Sequence, residues 1–167
     1  MIEEQELKVG GVFTFEHVRD GKVIDTWESE NLVVNEGLND LLQVYLGDGT
    51  KKPTWYIGLF EGNYTPTAGL IANDIAVTAT ESTAYNEANR PEWVEAAAAS
   101  QQITNTASKA TFTINATKTM YGAFLISDSV KGGTTGVLFA ASRFAVARPV
   151  VNEDQLLVTY TIQAASA

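Results

Sequence analysis

Short runs of β-branched and aromatic residues, separated by turn-forming residues, recur through most of this chain. Two of the runs, at residues 110–114 and 156–162, alternate along the strand. Alternation of this kind is typical of strands that bury one face of an antiparallel sheet and expose the other to water. Seven or eight such strands in 167 residues predict an all-β, mainly antiparallel protein built as a two-sheet sandwich.

The clearest local prediction is a β-hairpin near the start of the chain. Residues 12–18 and 23–28 flank an Asp20-Gly21 pair, and Asp-Gly supplies the positive φ angles of a tight type I′ turn. Residues 1–30 are interpreted as this hairpin, which either belongs to the sandwich or reaches to a neighbouring molecule as an arm. Residues 31–167 then form the sandwich core, and residues 1–167 together form one domain.

One helix is expected among the strands, near residues 36–46. Its apolar residues recur with helical spacing, and they are Leu38, Leu41, Leu42, Tyr45 and Leu46. Asn35 precedes this run as an N-cap and Gly47 follows it as a stop signal. We expect the helix to cover an end or an open flank of the sandwich. Residues 61–84 lack clear periodicity and predict a long surface loop with a helical turn at most.

Composition argues against several classes of function. The chain has no cysteine and one histidine, which removes thiol nucleophiles, cysteine zinc sites, iron–sulfur clusters and multi-histidine metal sites. Its net charge of -9 disfavours binding to phosphate backbones. The first residues carry no export signal, and no apolar run is long enough to span a membrane. We expect no metal, no cofactor, no nucleic-acid partner and no membrane association.

Catalytic candidates are few, and the sequence predicts that the protein is not an enzyme. His17 is interpreted as a hydrogen-bonded or partly exposed strand residue. Two carboxylate pairs raise the hypothesis of a polysaccharide hydrolase, although acidic pairs on strands and turns are usually solvated; they are Glu28/Glu30 and Glu92/Glu95. No nucleophile elbow, metalloprotease motif, phosphate loop or dinucleotide motif is present.

Three residues are candidates for contact with a partner protein. Arg143 and Arg148 lie near strand ends, where arginine suits either an interface or an internal salt bridge. Trp93, which follows Pro91 and lies between two glutamates, is interpreted as an exposed aromatic residue. Trp27 and Trp55 are instead expected in the core.

Several motifs in the chain resemble those of small structural proteins of tailed bacteriophages. In the first half they are residues 31–33 (NLV), 35–42 (NEGLNDLL), 55–59 (WYIGL), Tyr85 and 90–93 (RPEW). In the second half they are residues 103–105 (ITN), 110–114 (ATFTI), 121–125 (YGAFL), 136–144 (GVLFAASRF) and 157–160 (LVTY). The resemblance covers roughly residues 30–163, and its motifs are fold-forming rather than catalytic.

The resemblance implies a capsid cement or decoration protein with a jelly-roll-like sandwich. Such a protein binds the outside of the assembled head and bridges neighbouring subunits of the major capsid protein. It is expected on the capsid surface of the virion, after assembly in the host cytoplasm, as a homo-oligomer, either a dimer or a trimer. The chain departs from the commoner form of the family at residues 74–83 (DIAVTATEST), where that form has a small-residue and aromatic motif.

A second hypothesis places the protein in the tail, collar or fibre of the virion. There it would bind another tail protein or a glycan on the host surface. This alternative depends on the long loop at residues 61–84 and on an exposed Trp93.

Overall fold

The computed structural model describes residues 6–166 and contains nine strands and two helices over that range. Residues 1–5 lie outside the described residues. The prediction that the chain starts without an export signal falls partly on them. In chain order the elements are β1 (Leu7–Arg19), β2 (Lys22–Glu30), β3 (Leu32–Val33), α1 (Asn35–Leu46), β4 (Tyr56–Phe60), α2 (Ala72–Val77), β5 (Gln102–Thr104), β6 (Ala110–Thr113), β7 (Lys118–Ile126), β8 (Leu138–Val150) and β9 (Gln155–Ser166).

The strands form two antiparallel sheets, which confirms the prediction of an all-β sandwich with a helix near residues 36–46. The first sheet has the order β2-β1-β9-β5, and β6 also pairs with β9. The second has the order β3-β8-β7-β4. Side chains from the inner faces of both sheets build the main core, which includes Phe13, Trp27, Phe112, Phe144 and Tyr160.

The N-terminal hairpin is part of the first sheet and not a separate arm. Asp20 and Gly21 have φ angles of 50° and 72°, as the type I′ turn requires. Strand β1 pairs with β9 from Leu7 to Val18, and Phe15 stacks on Trp27 inside the core with ring centroids 4.8 Å apart. The predicted division between residues 1–30 and 31–167 therefore cuts through one sheet, because the hairpin pairs with the C-terminal strand β9.

Residues 61–84 are a packed cover and not the predicted surface loop. Leu70, Ala72, Ile75 and Ala79 are buried in a second core, together with Phe60, Phe124 and other residues on the outer face of the second sheet. Helix α2 lies in this segment. Residues 61–84 lack a regular apolar pattern because their elements are short and irregular. Burial on both faces of the second sheet explains the continuous apolar run in β4.

A buried ion pair fixes the end of this cover. The Arg90 guanidinium donates two hydrogen bonds to the Glu81 carboxylate, at 2.8 and 2.6 Å, and both side chains are buried. Arg90 also donates to the carbonyl oxygens of Asp128 and Gly133, and the backbone N–H of Gly132 donates to Glu81. The pair thus binds the cover to the loop that joins β7 to β8, with most of its polar atoms satisfied.

Two glycine–phenylalanine contacts allow β4 and β7 to pair closely. Gly58 lies opposite Phe124 and Phe60 lies opposite Gly122. A Cβ atom on Gly58 would come within 2.1 Å of the Phe124 ring, and one on Gly122 within 2.0 Å of the Phe60 ring. Each ring therefore lies across the bare backbone of the opposite glycine, which explains glycine in the middle of buried strands.

Replacing Gly58 by alanine should destabilise the fold by about 1–3 kcal/mol, because the new methyl group must displace the Phe124 ring. The measurement is the free energy of unfolding from urea titration. Gly69→Ala is the matched control, since a Cβ there has open space, and it should leave stability unchanged or slightly higher. Equal effects of the two substitutions would contradict the close packing described for Gly58.

Arg90→Lys should lower the free energy of unfolding by about 3 kcal/mol, because a lysine ammonium cannot replace the planar guanidinium between Glu81 and two carbonyls. Arg143→Lys is the control, since Arg143 is exposed, and its effect should stay within about 0.5 kcal/mol. Urea titration of both variants tests the difference. A loss for Arg90→Lys no larger than for the control would show that the ion pair does not hold the cover.

Candidate functional site

Helix α1 is attached to the sandwich through its first turns. Gly37 packs directly on β8, since a Cβ there would lie 2.4 Å from the carbonyl oxygen of Phe139. Leu38 contacts the main core, and the Glu36 carboxylate accepts a hydrogen bond from the backbone N–H of Leu138. Val34, rather than the predicted Asn35, is the N-cap residue, and it makes no side-chain capping bond.

Helix α1 lies at one end of the sandwich, but the rest of its apolar face is not covered. Leu42, Tyr45 and Leu46 are 52%, 84% and 76% exposed. Helical spacing indicated correctly that these residues share a face, but it cannot tell whether that face meets its own sandwich or another molecule. Apolar residues concentrated on one exposed helix face mark an interaction surface.

An open apolar groove of about 670 Å³ lies beside this helix. Its floor is formed by residues of the main core, Trp93, Leu125 and Phe139. Its walls are formed by the first sheet, Trp55 and α1. The first sheet contributes Val9, Ile103 and Ile162, and α1 contributes Leu41, Leu42, Tyr45 and Leu46. The core of the sandwich is therefore open to the exterior at the end where α1 lies.

The groove is built for apolar groups. Charged side chains occur at its edge, where Lys52 Nζ donates to the Asp40 carboxylate at 2.7 Å beside Lys51. Its volume lies within the range of about 300–1,000 Å³ that is usual for binding sites. Of the residues predicted to pack in the core, Trp27 is buried, whereas Trp55 is partly buried and lines the groove.

Trp93 is buried, and the expectation that it is exposed is wrong. Its side chain is 3% exposed, its indole N–H donates to the carbonyl oxygen of Tyr160 at 2.9 Å, and its ring contributes to the groove floor. The neighbouring glutamates misled the sequence interpretation, because Glu92 and Glu95 point outward while Trp93 points inward.

Arg143 and Arg148 both lie on β8 but contact different neighbours. Arg143 is exposed and donates two hydrogen bonds to the Asn63 side-chain oxygen, at 3.0 and 2.6 Å. Arg148 forms an ion pair with Asp25 at 2.7 Å and lies over the Trp27 ring. The structure therefore does not gather Trp93 and the two arginines into one site, and Arg148 makes the internal salt bridge that the sequence left open.

His17, Arg19 and Asp154 form a polar cluster at the far end of β1 from the groove. The His17 Nε2–H donates to Asp154 at 2.7 Å, and Arg19 donates two hydrogen bonds to the same carboxylate. Hydrogen bonds from Arg19, then from the Val151 backbone and His17, hold the pKa of Asp154 well below its usual range. His17 is thus the hydrogen-bonded strand residue that the sequence indicated, and the cluster joins β1 to the turn before β9.

The other titratable candidates are solvated. Glu28 and Glu30 on β2, and Glu92 and Glu95 beside Trp93, are all exposed. Within residues 6–166, no group of three or more histidine, aspartate or glutamate side chains is placed to hold a metal ion. Over the same range, no helix is long and apolar enough to cross a membrane.

Comparison with known proteins leaves the family of this chain open. No family model matches its sequence, and no curated protein gives a significant match. The bacteriophage resemblance therefore depends on the motifs themselves. Several of their residues prove structural here, since Arg90 forms the buried ion pair and Trp93 packs in the core.

Asp154→Asn should lower the free energy of unfolding by about 2 kcal/mol at neutral pH, because it weakens three charge-assisted contacts. The pKa of Asp154 is lower in the folded chain than in the unfolded chain, so its stabilisation is present above the unfolded value, about 3.9. It is lost as pH falls below that value. Urea titrations at several pH values should therefore show the gap between wild type and variant shrinking as pH is lowered from about 5.

Asp48→Asn is the control for this experiment, since Asp48 is exposed. Its stability difference from wild type should be small at every pH. A gap between wild type and Asp154→Asn that does not change with pH would contradict the assigned role of the carboxylate.

Proposed function

We propose that this chain is a nonenzymatic structural protein of a tailed bacteriophage, which binds the outside of the assembled head and stabilises it by bridging neighbouring capsid subunits. The observation that carries this proposal is the open apolar groove beside α1, with Leu42, Tyr45 and Leu46 exposed at its edge. A soluble chain that leaves such a surface uncovered is suited to assembly with other proteins.

The motif resemblance supports the placement in a virion. Several of its motifs lie in strands of the sandwich, such as residues 110–113 in β6, 121–125 in β7 and 157–160 in β9. The net charge of -9 also supports a role in ordered assembly, because an acidic surface keeps copies apart until a specific contact brings them together. The major capsid protein is the proposed partner, and the capsid surface the proposed location.

The energetic requirement on such a protein is modest. A protein that binds only the assembled shell stabilises it by mass action. Repetition over a symmetric lattice multiplies weak contacts without requiring a tight individual site. Exposed Arg143 on β8 remains a proposed contact with the shell, because its guanidinium faces solvent beside Asn63.

The structure gives less support to the tail, collar or fibre alternative than to the capsid-surface proposal. That hypothesis depended on a free loop at residues 61–84 and on an exposed tryptophan. Leu70 and Ile75 pack this segment onto the second sheet, and Trp93 lies in the core. We therefore favour the head as the position.

The decisive experiment is the copy number of this protein per purified particle, measured by quantitative mass spectrometry against the major capsid protein. A decoration role predicts a copy number near a simple ratio to the capsid protein, because each lattice position offers the same site. A handful of copies would instead move the protein to the tail or collar, and its absence from particles would overturn the virion proposal.

A binding assay provides the control. Recombinant protein should sediment with emptied heads but not with dissociated capsid protein, because the proposed site exists only where subunits meet. Equal binding to both forms would contradict bridging.

A further inference from the structure

We propose that the groove beside α1 binds a free long-chain fatty acid, with the alkyl chain along the groove and the carboxylate at Lys51. The inference concerns the purified chain and does not depend on the virion role. Apart from Asp40, Lys51 and Lys52, every residue that lines the groove is apolar or aromatic. The site therefore joins an apolar interior to a charged edge, as a fatty acid joins an apolar chain to a charged head.

The side chains inside the groove offer little to a ligand that needs hydrogen bonds. The Trp93 indole N–H already donates to the Tyr160 carbonyl oxygen at 2.9 Å, and Leu125, Phe139 and Ile162 have no polar side-chain atoms. An extended peptide bound here would give up hydrogen bonds between its backbone and water without replacing them, which costs free energy. An alkyl chain has no such groups, so its burial leaves no hydrogen bond unmade.

The floor of the groove favours a thin ligand. Trp93, Leu125 and Phe139 line the floor although they are only 3%, 1% and 7% exposed, so each presents a small part of its surface to the groove. An α-helix is about 10–12 Å across with its side chains and would rest on the walls. A single alkyl chain is thin enough to reach the floor.

The charge at the edge of the groove indicates the head group. Lys51 and Lys52 are the only two adjacent basic residues in the sequence, and they lie at this groove in a chain with a net charge of -9. Lys52 Nζ is paired with the Asp40 carboxylate at 2.7 Å, whereas Lys51 is exposed and forms no ion pair within residues 6–166. The edge therefore carries one positive charge in excess, which a carboxylate at the end of the alkyl chain would neutralise.

The same charges favour a free fatty acid over the surface of a membrane. Anionic leaflets attract clusters of several basic residues, and two lysines beside Asp40 do not form such a cluster. The net charge of -9 repels the rest of the chain from an anionic surface. A fatty acid on the floor is also compatible with the proposed capsid contact, because Tyr45 on the wall is 84% exposed and would keep most of its surface for a protein.

Titration with saturated fatty acids, from octanoic to stearic acid, tests the apolar part of the site. Tryptophan fluorescence reports binding, because Trp55 and Trp93 line the groove. The dissociation constant should fall about fourfold for each added methylene until the chain fills the groove. Leu42→Asp should raise the dissociation constant for myristic acid about tenfold, since it places a carboxylate on the apolar wall. Val77→Asp is the matched control, because Val77 is also an exposed helix residue and lies outside the groove; it should leave binding unchanged.

A second pair of variants tests the head-group contact. Lys51→Gln should raise the dissociation constant for myristic acid about threefold, as expected for an exposed ion pair, and should leave that for myristyl alcohol unchanged. Lys22→Gln makes the same change of charge at the hairpin turn, at the far end of β1 from the groove, and should affect neither ligand. Both lysines are exposed, so the urea midpoints of the two variants should match that of wild type.

Each other outcome overturns the proposal. Fatty acids that bind Leu42→Asp as well as wild type do not occupy the groove, and an equal effect of Lys51→Gln on acid and alcohol removes the head-group contact. If no fatty acid binds but the protein sediments with phosphatidylglycerol vesicles and Leu42→Asp abolishes this, the groove contacts a membrane instead. Failure to bind fatty acids with a normal copy number in particles leaves the proposed function intact, whereas absence from particles with normal fatty-acid binding removes only that function.

Discussion

The ion pair between Arg90 and Glu81 is the interaction on which the layered arrangement depends. Its charges are removed from water, so the pair is stable only because carbonyl oxygens and a backbone N–H complete its hydrogen bonds. With the cover held in this way, the second sheet is buried on both faces. Double burial in turn allows Gly58 and Gly122 to face phenylalanine rings rather than solvent. One buried ion pair thus makes apolar packing possible on both faces of the second sheet.

Local signals predicted the elements, and tertiary contacts decided what they cover. The hairpin at Asp20-Gly21 and the helix near residues 36–46 follow from turn chemistry and periodicity, which act within a few residues. The cover over residues 61–84 was missed because its burial depends on Phe60 and Phe124 in distant strands. Trp93 was misplaced for the same reason, since its partner Tyr160 lies far along the chain. The groove was missed because an apolar helix face carries no signal for which molecule covers it.

The sandwich is closed by different means at its two ends. At one end, the cluster of His17, Arg19 and Asp154 ties β1 to the turn before β9 with charged hydrogen bonds. At the other end, α1 stands beside the opening and leaves core residues such as Leu125 at the base of a groove. The polar closure is complete within one chain, whereas the apolar opening leaves core residues accessible, and in our proposals an alkyl chain and another protein surface cover them. The molecule therefore has an end suited to stability and an end suited to assembly.

The pairing of β1 with β9 has a consequence for the order of events during synthesis. Strand β1 finds its central partner only after β9 has been synthesised, because Leu7 pairs with Ser166 and Val18 with Gln155. Until then the β1–β2 hairpin is a two-stranded ribbon, which is marginal on its own, and Phe13 and Phe15 lack most of their core. Contacts so distant in sequence slow folding. A chain interrupted before β9 would therefore retain only the β1–β2 ribbon of the first sheet and would expose unpaired strand edges prone to aggregation.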